Sequence, residues 1–478
     1  MAVYQLIVTK DKDMELSFTS GEALKAGQDA CARIRGAYAE ASSPSYYIES
    51  FGCQMNAHDS ERIAGMLHEA GYTEALDKLS ADLILYNTCC VREHAEKRVF
   101  GNIGALRKLK EEKPGLIIAV CGCMMQQAEV ANRMHKRFKY VDLIFGAHEL
   151  NRFPVLLEKV LSGERVISVA QTEGDIIEGL PVLRNGRFST SLIIMYGCNN
   201  FCTYCIVPYV RGRERSREPE AILTEARQLA QSGYKEVTLL GQNVNSYRSS
   251  NGMLFPQLLE LIDSESNIER IRFMTSHPKD LSPDLIRAMA GLKHVCKHIH
   301  LPVQSGSSRI LRLMNRGYDR DRYMSVVKSL RDSVPNVEIT TDVIVGFPGE
   351  TEDDFNQTLS LVEETGFSAA YTFMYSPRSG TKAAAMEGQI DDATKKRRLS
   401  ELNALVTKTI KRNNVKYIQT TGEVLVEGYD MRNEPMAYGK LSNFKMVYFP
   451  AQTGLIGQTV NVKIESARNN SLFGTIIG

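Results

Sequence analysis

The sequence predicts an α/β protein of several domains that ends in a small β domain. From Tyr46 to about residue 415, short apolar segments typical of strands alternate with longer segments typical of helices. Beyond residue 420, alternating apolar and polar residues separated by glycine turns indicate a small closed barrel. A chain of 478 residues with 43% hydrophobic residues has enough apolar surface for about three domains.

Composition restricts where the protein works and what it binds. No apolar segment is long enough to span a membrane, and the N-terminus lacks a basic-then-apolar secretory pattern. Ten cysteines are few for a disulfide scaffold of this length, and they cluster beside glycines in short motifs, which favours the reducing cytoplasm. Because the net charge is only +2, any affinity for nucleic acid must come from local patches.

The first domain predicted to have a chemical function follows an N-terminal extension, residues 1–44, which carries a predicted helix from Gly21 to Ala41 and no chemical motif. Residues 45–165 predict an open α/β sheet in which three strands are each followed by cysteine. Loops after the strands of such a sheet share one edge, so we expect these cysteines to form one three-thiolate site. The strands are 45–51, 83–88 and 116–120, followed by Cys53, by Cys89 and Cys90, and by Cys121 and Cys123.

This trio has a structural alternative, because a single cysteine after a strand is usually a small core residue. Three cysteines at equivalent positions instead indicate metal binding. The two doublets leave open which member of each is the ligand. A helix is expected to start near Asp59, after the loop that carries Cys53.

The central segment, residues 187–415, carries Cys198, Cys202 and Cys205 on one short loop. The apolar run 193–196, which ends at Gly197, predicts a strand that leads directly into this loop. Three thiolates can hold an iron–sulfur cluster and leave one iron without a protein ligand, where a cofactor can bind. Zinc is the alternative, but zinc sites usually combine two paired elements, and no second pair follows nearby.

Further strands of the central segment are each followed by polar or glycine-rich residues, which is typical of the active-site end of a β/α barrel. A cofactor pocket is therefore expected at these strand ends. The strands are 235–240, 270–274, 298–301, 338–345 and 369–374.

Several motifs together make the chain resemble a known family. They are Gly52-Cys53-Gln54-Met55-Asn56, Asn87-Thr88-Cys89, Gly122-Cys123-Met124, the run from Gly197-Cys198-Asn199-Asn200 through Cys202-Thr203-Tyr204-Cys205 to Pro208, and Arg211-Gly212-Arg213-Glu214-Arg215-Ser216-Arg217. From about Tyr46 to Gly478 the chain resembles the radical S-adenosylmethionine (SAM) methylthiotransferases. It is most similar to the branch called MiaB, which acts on tRNA.

The resemblance implies two [4Fe-4S] clusters. Cys198, Cys202 and Cys205 match the ligands of the cluster whose open iron is chelated by SAM, with Tyr204 near the adenine. An auxiliary cluster matches Cys53, Cys89 and Cys123, whereas Cys90 and Cys121 stand where the family usually has no cysteine.

The resemblance also implies a partial (β/α)6 barrel similar to a TIM barrel, with SAM across its strand ends. Each polar candidate for SAM binding, taken alone, is more often a turn former or a helix cap. His277 and His300 are expected to be structural, because the implied chemistry needs a radical more than a proton shuttle. The candidates are Gln242 and Asn243 for the amino-acid end of SAM, Gln304 and Ser305 for its ribose, and Gly346 and Gly349 for close approach of the backbone to the adenosyl group.

The implied reaction adds a methylthio group to C2 of an N6-isopentenyladenine next to the tRNA anticodon. An electron from an external reductant such as flavodoxin or ferredoxin would cleave SAM to methionine and a 5′-deoxyadenosyl radical, which takes the hydrogen. The auxiliary cluster would hold the sulfur, from a donor that the sequence does not identify, and a second SAM would supply the methyl group. The base must leave its stack, which costs a few kcal/mol.

Residues 416–478 resemble a TRAM domain, a small RNA-binding barrel, which implies contact with the tRNA anticodon stem-loop. A basic run precedes it, and such a run is either an RNA contact or a solvated helix face. The run comprises Lys395, Lys396, Arg397, Arg398, Lys408, Lys411, Arg412 and Lys416, and the candidate RNA contacts on the barrel are Arg432, Lys440, Lys445, Arg468, Tyr438 and Phe444. For the aromatic residues, the alternative to RNA contact is packing in the core of the barrel.

Two other functions remain as alternatives. A related methylthiotransferase would act on threonylcarbamoyl-adenosine in tRNA or on an aspartate of a ribosomal protein. Asn199 and Asn200 favour the isopentenyl branch, since the sister branches tend to carry aspartate there. A non-catalytic RNA-binding protein with a structural metal would instead predict no cleavage of SAM.

Overall fold

The computed structural model describes residues 20–38, 42–90, 93–170, 176–432 and 434–477. The chain divides into two compact units, Met1–Leu183 and Arg184–Gly478. Its fold confirms the predicted class, with an open α/β sheet, a partial β/α barrel and a small closed β barrel. Among the described residues, no helix is long and apolar enough to cross a membrane.

The N-terminal unit is built around a parallel six-stranded sheet in the order β2-β1-β3-β4-β5-β6. Every residue of β3 is buried, and alternate residues of this strand belong to apolar clusters on opposite faces of the sheet. The elements are α1 (Ser20–Ala37), β1 (Ser45–Ser50), α2 (Gln54–Glu69), β2 (Thr73–Glu74), β3 (Leu83–Thr88), α3 (Glu93–Glu112), β4 (Ile117–Gly122), α4 (Ala128–Arg137), β5 (Leu143–Phe145), α5 (Phe153–Leu161) and β6 (Val166–Ser168), with a 3-10 helix at Ala147–Arg152.

Two helices of this unit differ from the sequence-based expectation. Helix α2 begins at Gln54 instead of near Asp59, because Cys53 is its extended N-cap and the Asn56 amide donates to the Phe51 carbonyl at 3.0 Å, closing the turn. Helix α1 ends at Ala37, and the predicted end at Ala41 lies outside the described residues.

The central part of the C-terminal unit is an open barrel of six parallel strands. Sheets β7-β10-β11 and β12-β13-β14 are joined by a parallel bridge between Ile271 and Val295. The elements are β7 (Ser189–Ile193), β8 (Met195–Tyr196), α6 (Val207–Val210), β9 (Arg215–Ser216), α7 (Pro219–Gln231), β10 (Glu236–Leu240), α8 (Phe255–Glu265), β11 (Arg270–Phe273), α9 (Pro283–Gly291), β12 (His298–His300), α10 (Ser308–Leu313), α11 (Arg320–Ser333), β13 (Glu338–Val345), α12 (Glu352–Thr365), β14 (Ala369–Met374) and α13 (Asp392–Asn414), with 3-10 helices at Val244–Ser246, Pro278–Asp280, Lys382–Ala385 and Val415–Tyr417.

The barrel strand before the cysteine loop ends earlier than predicted. Strand β7 stops at Ile193, and β8 then pairs antiparallel with β9. The apolar run therefore spans two short elements, and the cysteine loop starts from a small hairpin-like ribbon beside the barrel.

The C-terminal part is a closed barrel in the order β15-β16-β17-β19-β18. Its last strand, β19, contains Gly474. A Cβ at Gly474 would collide with the Lys463 carbonyl, so the close approach of β18 requires glycine. The strands are β15 (Thr421–Asp430), β16 (Met436–Lys440), β17 (Met446–Pro450), β18 (Thr459–Arg468) and β19 (Ser471–Ile476).

This small barrel packs against the amino ends of the core strands. Arg270 donates to the Lys440 carbonyl at 2.8 Å, and Arg272 donates to the carbonyls of Leu441 and Ser442 at 2.9 and 2.8 Å. These arginines therefore fix the barrel to the core through its backbone.

Two of the predicted RNA contacts lie inside this interface. The Phe444 ring stacks on His298 with centroids 4.6 Å apart, and buried Lys445 donates to Asn414 Oδ1 at 2.7 Å. The sequence-based assignment of Phe444 and Lys445 to RNA is therefore wrong for this structure, because both side chains are used between core and barrel.

Candidate active site

One side of the cysteine loop is held by the segment before β9. The backbone N–H of Cys198 donates to the Gly212 carbonyl at 3.1 Å. Gly197 has a φ of +73°, and a Cβ there would collide with the Arg213 carbonyl. Glycine at this position is thus required by both the conformation and the close approach of the two chains.

The other side of the loop is held by residues 313–316, which include the last residue of α10 and the three residues after it. The Thr203 N–H donates to the Met314 carbonyl at 3.0 Å, and its hydroxyl donates to the Leu313 carbonyl at 2.9 Å. The Asn315 amide donates to the carbonyls of Asn200 and Phe201, each at 3.1 Å. We call residues 313–316 the loop clamp.

Arg316 ends the loop clamp and is a functional candidate that the sequence-based reasoning missed. Arg316 is only 5% exposed, and its guanidinium donates to Cys202 Sγ and the Tyr204 hydroxyl, both at 3.3 Å. It also donates to the Pro302 carbonyl at 2.8 Å and to the Tyr318 hydroxyl at 3.0 Å. Because arginine stays charged, this contact provides a fixed positive charge beside the thiol group.

The thiols of the loop influence one another. Burial raises the pKa of Cys205 to about 12, and the charge of neighbouring Cys202 adds to the rise. Burial likewise raises the pKa of Cys198, with Glu214 and Cys202 as further causes. Three cysteine thiols on one loop, one of them bonded to buried Arg316, fit an iron–sulfur cluster, whose iron ions would replace the protons.

Buried polar atoms without a hydrogen-bond partner lie at the carboxyl ends of β10 and β11. They are Gln242 Oε1, Asn243 Oδ1, Ser276 Oγ and His277 Nε2. Asn243 uses its amide nitrogen to bind Asp280 Oδ2 at 2.8 Å, so its oxygen remains available. Since buried polar groups are normally satisfied, these atoms fit a polar ligand such as SAM.

His277 lies beside the clamp arginine. Burial lowers the pKa of His277 to about 2, and Arg316 lowers it further, so the ring is neutral. Its Nδ1 accepts from the Lys279 N–H at 3.2 Å, which leaves Nε2 as a donor toward any ligand. Ser276 and His277 join the predicted pair Gln242 and Asn243, although only burial distinguishes them from ordinary loop residues.

The other predicted SAM contacts have mixed surroundings. Gln304 is buried with a φ of +71°, and its backbone bridges to Val343. The Ser305 hydroxyl is within 3.3 Å of Thr358 Oγ1 and is thus engaged inside the protein. A Cβ at Gly346 would collide with Lys395, whereas Gly349 has open space around it.

Cys53, Cys89 and Cys123 lie at the carboxyl ends of three adjacent strands, β1, β3 and β4. Gly52, with a φ of +108°, lies so close to Cys89 that a Cβ would overlap its side chain. A Cβ at Gly122 would similarly collide with the Thr88 carbonyl. The loops that carry Cys53, Cys89 and Cys123 are therefore in contact.

Asn56 joins these three loops. Its amide donates to the Phe51 carbonyl at 3.0 Å and to the Thr88 carbonyl at 2.9 Å, and its Oδ1 accepts from Cys123 Sγ at 3.6 Å. In the described part of the chain, no three His, Cys, Asp or Glu side chains are gathered as for a single metal ion. A cubic cluster instead distributes its thiolates over separate irons.

The outer surface of the small barrel carries a row of aromatic residues across three adjacent strands. Tyr438 pairs with Tyr448, which pairs with Phe473, and successive ring centroids are 5.9 and 5.5 Å apart. The Arg468 guanidinium lies 5.4 Å from the Phe473 ring, and Arg432 is exposed beside its partner Asp430. The sequence-based reasoning named Tyr438, Arg432 and Arg468 but missed Tyr448 and Phe473. Lys440, also predicted, pairs with Glu427 at 2.9 Å.

The basic run on α13 divides between two faces. Lys395 and Arg398 are buried, and Arg398 donates to Glu350 Oε2 at 2.7 Å. The other basic residues of the run are exposed: Lys396, Arg397, Lys408, Lys411, Arg412 and Lys416.

Three family models match successive parts of the chain. The model of Uncharacterized protein family UPF0004 matches residues 45–146, that of the Radical SAM superfamily residues 192–362, and that of the TRAM domain residues 415–477. Curated relatives named tRNA-2-methylthio-N(6)-dimethylallyladenosine synthase match over most of their length. The protein from Caldicellulosiruptor saccharolyticus is 52% identical over 90% of this chain and 92% of its own, and that from Alkaliphilus oremlandii is 51% identical over 92% and 94%.

The chain belongs to the tRNA-2-methylthio-N(6)-dimethylallyladenosine synthase family. It is accordingly an enzyme of the radical SAM methylthiotransferases, and SAM and iron–sulfur chemistry come with that family. The predicted family, enzyme class and TRAM domain are confirmed.

Solved structures show how general the fold of this synthase family is. The radical SAM methyltransferase TsrM from Kitasatospora setae, with cobalamin and a [4Fe-4S] cluster bound, aligns with a TM-score of 0.53 at 14% identity over 72% of this chain and 77% of its own. The cobalamin-dependent radical enzyme OxsB aligns with a TM-score of 0.50 at 14% identity, over 77% of this chain and 56% of its own. At this identity the likeness concerns the fold alone.

Proposed function

We propose that this protein adds a methylthio group to C2 of N6-isopentenyladenosine next to the anticodon of tRNA, giving 2-methylthio-N6-isopentenyladenosine. The shared identity with synthases of that name over nine-tenths of the chain supports the substrate. The observation in the molecule that carries the proposal is the cysteine loop, in which Cys202 Sγ accepts from buried Arg316, and Arg316 in turn lies near His277, whose buried Nε2 has no partner.

Cys198, Cys202 and Cys205 would hold the cluster that binds SAM, and Cys53, Cys89 and Cys123 would hold the auxiliary cluster. When bound, the first cluster and SAM supply a radical strong enough to break an aromatic C–H bond. Contact between the three strand-end loops through Asn56 supports the second site.

The residues of the chain itself would bind SAM and orient the side chains around it. Gln242 and Asn243, with Ser276 and His277, would receive the polar groups of SAM, because their buried atoms otherwise have no partner. Arg316 orients Cys202 and Tyr204 from a buried position. Gly349 leaves room for the adenosyl group, and Gln304 lies at the end of β12, where we expect the ribose.

The RNA partner would be the anticodon stem-loop of tRNA, held in part by the small barrel. The row of Tyr438, Tyr448 and Phe473 offers ring surfaces for base stacking, and Arg432 and Arg468 offer charge for phosphate. An external reductant such as flavodoxin or ferredoxin would deliver the electron, and a separate donor would supply sulfur.

The test is mass spectrometry of anticodon nucleosides after incubation of anaerobically reconstituted protein with isopentenylated or threonylcarbamoylated tRNA. We expect a methylthio product from the isopentenylated tRNA and roughly eight irons per chain, if both sites hold cubic clusters. Product only from the threonylcarbamoylated tRNA would show that threonylcarbamoyl-adenosine, and not isopentenyladenosine, is the substrate. A content of about four irons per chain would contradict the presence of the auxiliary cluster.

A further inference from the structure

The inner face of the open barrel carries two exposed aromatic side chains on its edge strand. Tyr371 and Phe373 of β14 are 46% and 40% exposed. Residues of β14 between and beside them point to the opposite face, where Met374 packs against the main apolar core and Thr372 contacts Asn403 of α13. In a closed barrel the inward side chains fill the interior, whereas here the opening leaves two rings uncovered.

This aromatic pair lies close to the predicted reaction site. Phe373 pairs across the strands with Ile344 of β13. Ile344 packs against the same small apolar cluster as Tyr204 of the cysteine loop, a cluster that includes Phe347 and Tyr375. A group that rests on Phe373 is therefore next to the side chains around the cysteine loop.

A carboxylate lies beside the pair. Asp342 stands opposite Tyr371 in the strand register, and its Oδ2 is 3.5 Å from Nε2 of His300. Burial raises the pKa of Tyr371, and the charge of Asp342 raises it further. Among the described inward positions of β12, β13 and β14 there is no lysine or arginine: these positions are His298, His300, Glu338, Thr340, Asp342, Ile344, Ala369, Tyr371 and Phe373.

The chemistry of this face distinguishes two kinds of modified adenine. Aromatic rings stack on a purine and accept a hydrocarbon branch, which suits an isopentenyl group. A threonylcarbamoyl group carries a carboxylate, which would meet the like charge of Asp342 without a cation from these strands. The two aromatic rings and the negative charge of Asp342 therefore favour an adenine that carries the apolar isopentenyl group.

We propose that Tyr371 and Phe373 bind the target adenine with its isopentenyl group, and that Asp342 rejects adenines whose N6 group carries a carboxylate. This inference rests on the proposed function and adds the residues that select its substrate. The selection occurs on binding, before any chemistry at the cysteine loop.

The experiment measures binding of three stem-loop RNAs that differ only at the target adenosine: unmodified, isopentenylated and threonylcarbamoylated. Fluorescence anisotropy with the reconstituted full-length protein gives each Kd. We expect the wild type to bind the isopentenylated RNA about 10-fold or more tighter than the unmodified RNA. Tyr371→Ala and Phe373→Ala should each remove most of that preference, because the isopentenylated RNA loses ring stacking and apolar contact whereas the unmodified RNA loses stacking alone.

Asp342→Asn should tighten binding of the threonylcarbamoylated RNA about 10-fold and leave the isopentenylated RNA unchanged. The matched control is Thr372→Val, which lies between the two aromatic residues and points to the opposite face. The inference is overturned if Tyr371→Ala and Phe373→Ala weaken all three RNAs equally or change none. Absence of methylthio product from wild type and isopentenylated RNA would instead overturn the proposed function, whatever the binding ratios.

Discussion

The two groups of cysteines reach their positions by different routes. Cys198, Cys202 and Cys205 share one loop, which the loop clamp holds by hydrogen bonds to its backbone and to one sulfur. Cys53, Cys89 and Cys123 come from three strands, and Asn56 joins their loops. The first site is thus a property of local sequence that the fold supports, and the second is a property of the fold itself.

The difference predicts how each site fails. Damage to the loop clamp should alter the geometry of a site whose ligands stay together in sequence. Damage to Asn56 should separate ligands that come from three different strands. The following changes test this distinction.

The largest effects should come from the cysteines themselves. Cys198→Ala should abolish formation of 5′-deoxyadenosine, whereas Cys53→Ala should retain cleavage of SAM and lose the methylthio product. Chromatography of 5′-deoxyadenosine and mass spectrometry of the tRNA nucleosides measure the two activities. Cys296→Ala, at a buried cysteine outside both groups, is the control. Equal loss of both activities in the two variants would contradict the division of roles.

Asn56→Leu should remove about half of the bound iron, because the carbonyls of Phe51 and Thr88 lose their shared donor and the loops separate. Cleavage of SAM should persist. Iron analysis after reconstitution checks the change, with exposed Asn132→Leu in the same unit as control. Full iron content in Asn56→Leu would show that the sheet alone assembles the second site.

Arg316→Met should slow SAM cleavage about 10-fold or more and lower the reduction potential of the reconstituted cluster, since the sulfur of Cys202 loses a charged donor. Arg316→Lys should be intermediate, because an ammonium group cannot reproduce the planar set of contacts. A redox titration followed by electron paramagnetic resonance gives the potential, and exposed Arg312→Met is the control. An unchanged potential with slower cleavage would limit Arg316 to a structural role.

The smallest effect is expected at Asn315, which has a φ of +58°. Asn315→Gly keeps that conformation and loses two hydrogen bonds, which should cost about 1–2 kcal/mol of unfolding free energy. Asn315→Ala should cost about 1 kcal/mol more because of backbone strain. Thermal denaturation compares the two variants, and an alanine variant as stable as the glycine variant would argue against strain in the loop clamp.

The sequence predicted the parts of each site that depend on spacing and on strand ends. Cysteine spacing is local, and the equivalence of strand ends follows from sheet topology. Arg316 was invisible, because it is 114 residues from Cys202 and nothing in its own neighbourhood marks it as buried. Asn56 was visible inside its motif, but its role as the link between loops needed the fold.

The C-terminal barrel shows a different limit. Alternation identified its strands, and Tyr438 lies on the outer surface. Alternation cannot show which outward residues another part of the chain covers, so Phe444 and Lys445 were assigned to RNA although they pack against the core. The same holds for Lys395 and Arg398 on α13, where a run of charges included two buried members.

Because the small barrel packs on the amino ends of the core strands, its distance from the cysteine loop is fixed by the length of those strands. Strand β13 runs from Glu338 at that end to Val345 beside the cysteine loop, about 25 Å at the usual rise per residue. Arg270 and Arg272 hold the barrel at this distance by bonds to its backbone carbonyls, which do not depend on the identity of the barrel side chains. An RNA held on the barrel as proposed would have to span about this length to place its base at the cysteine loop.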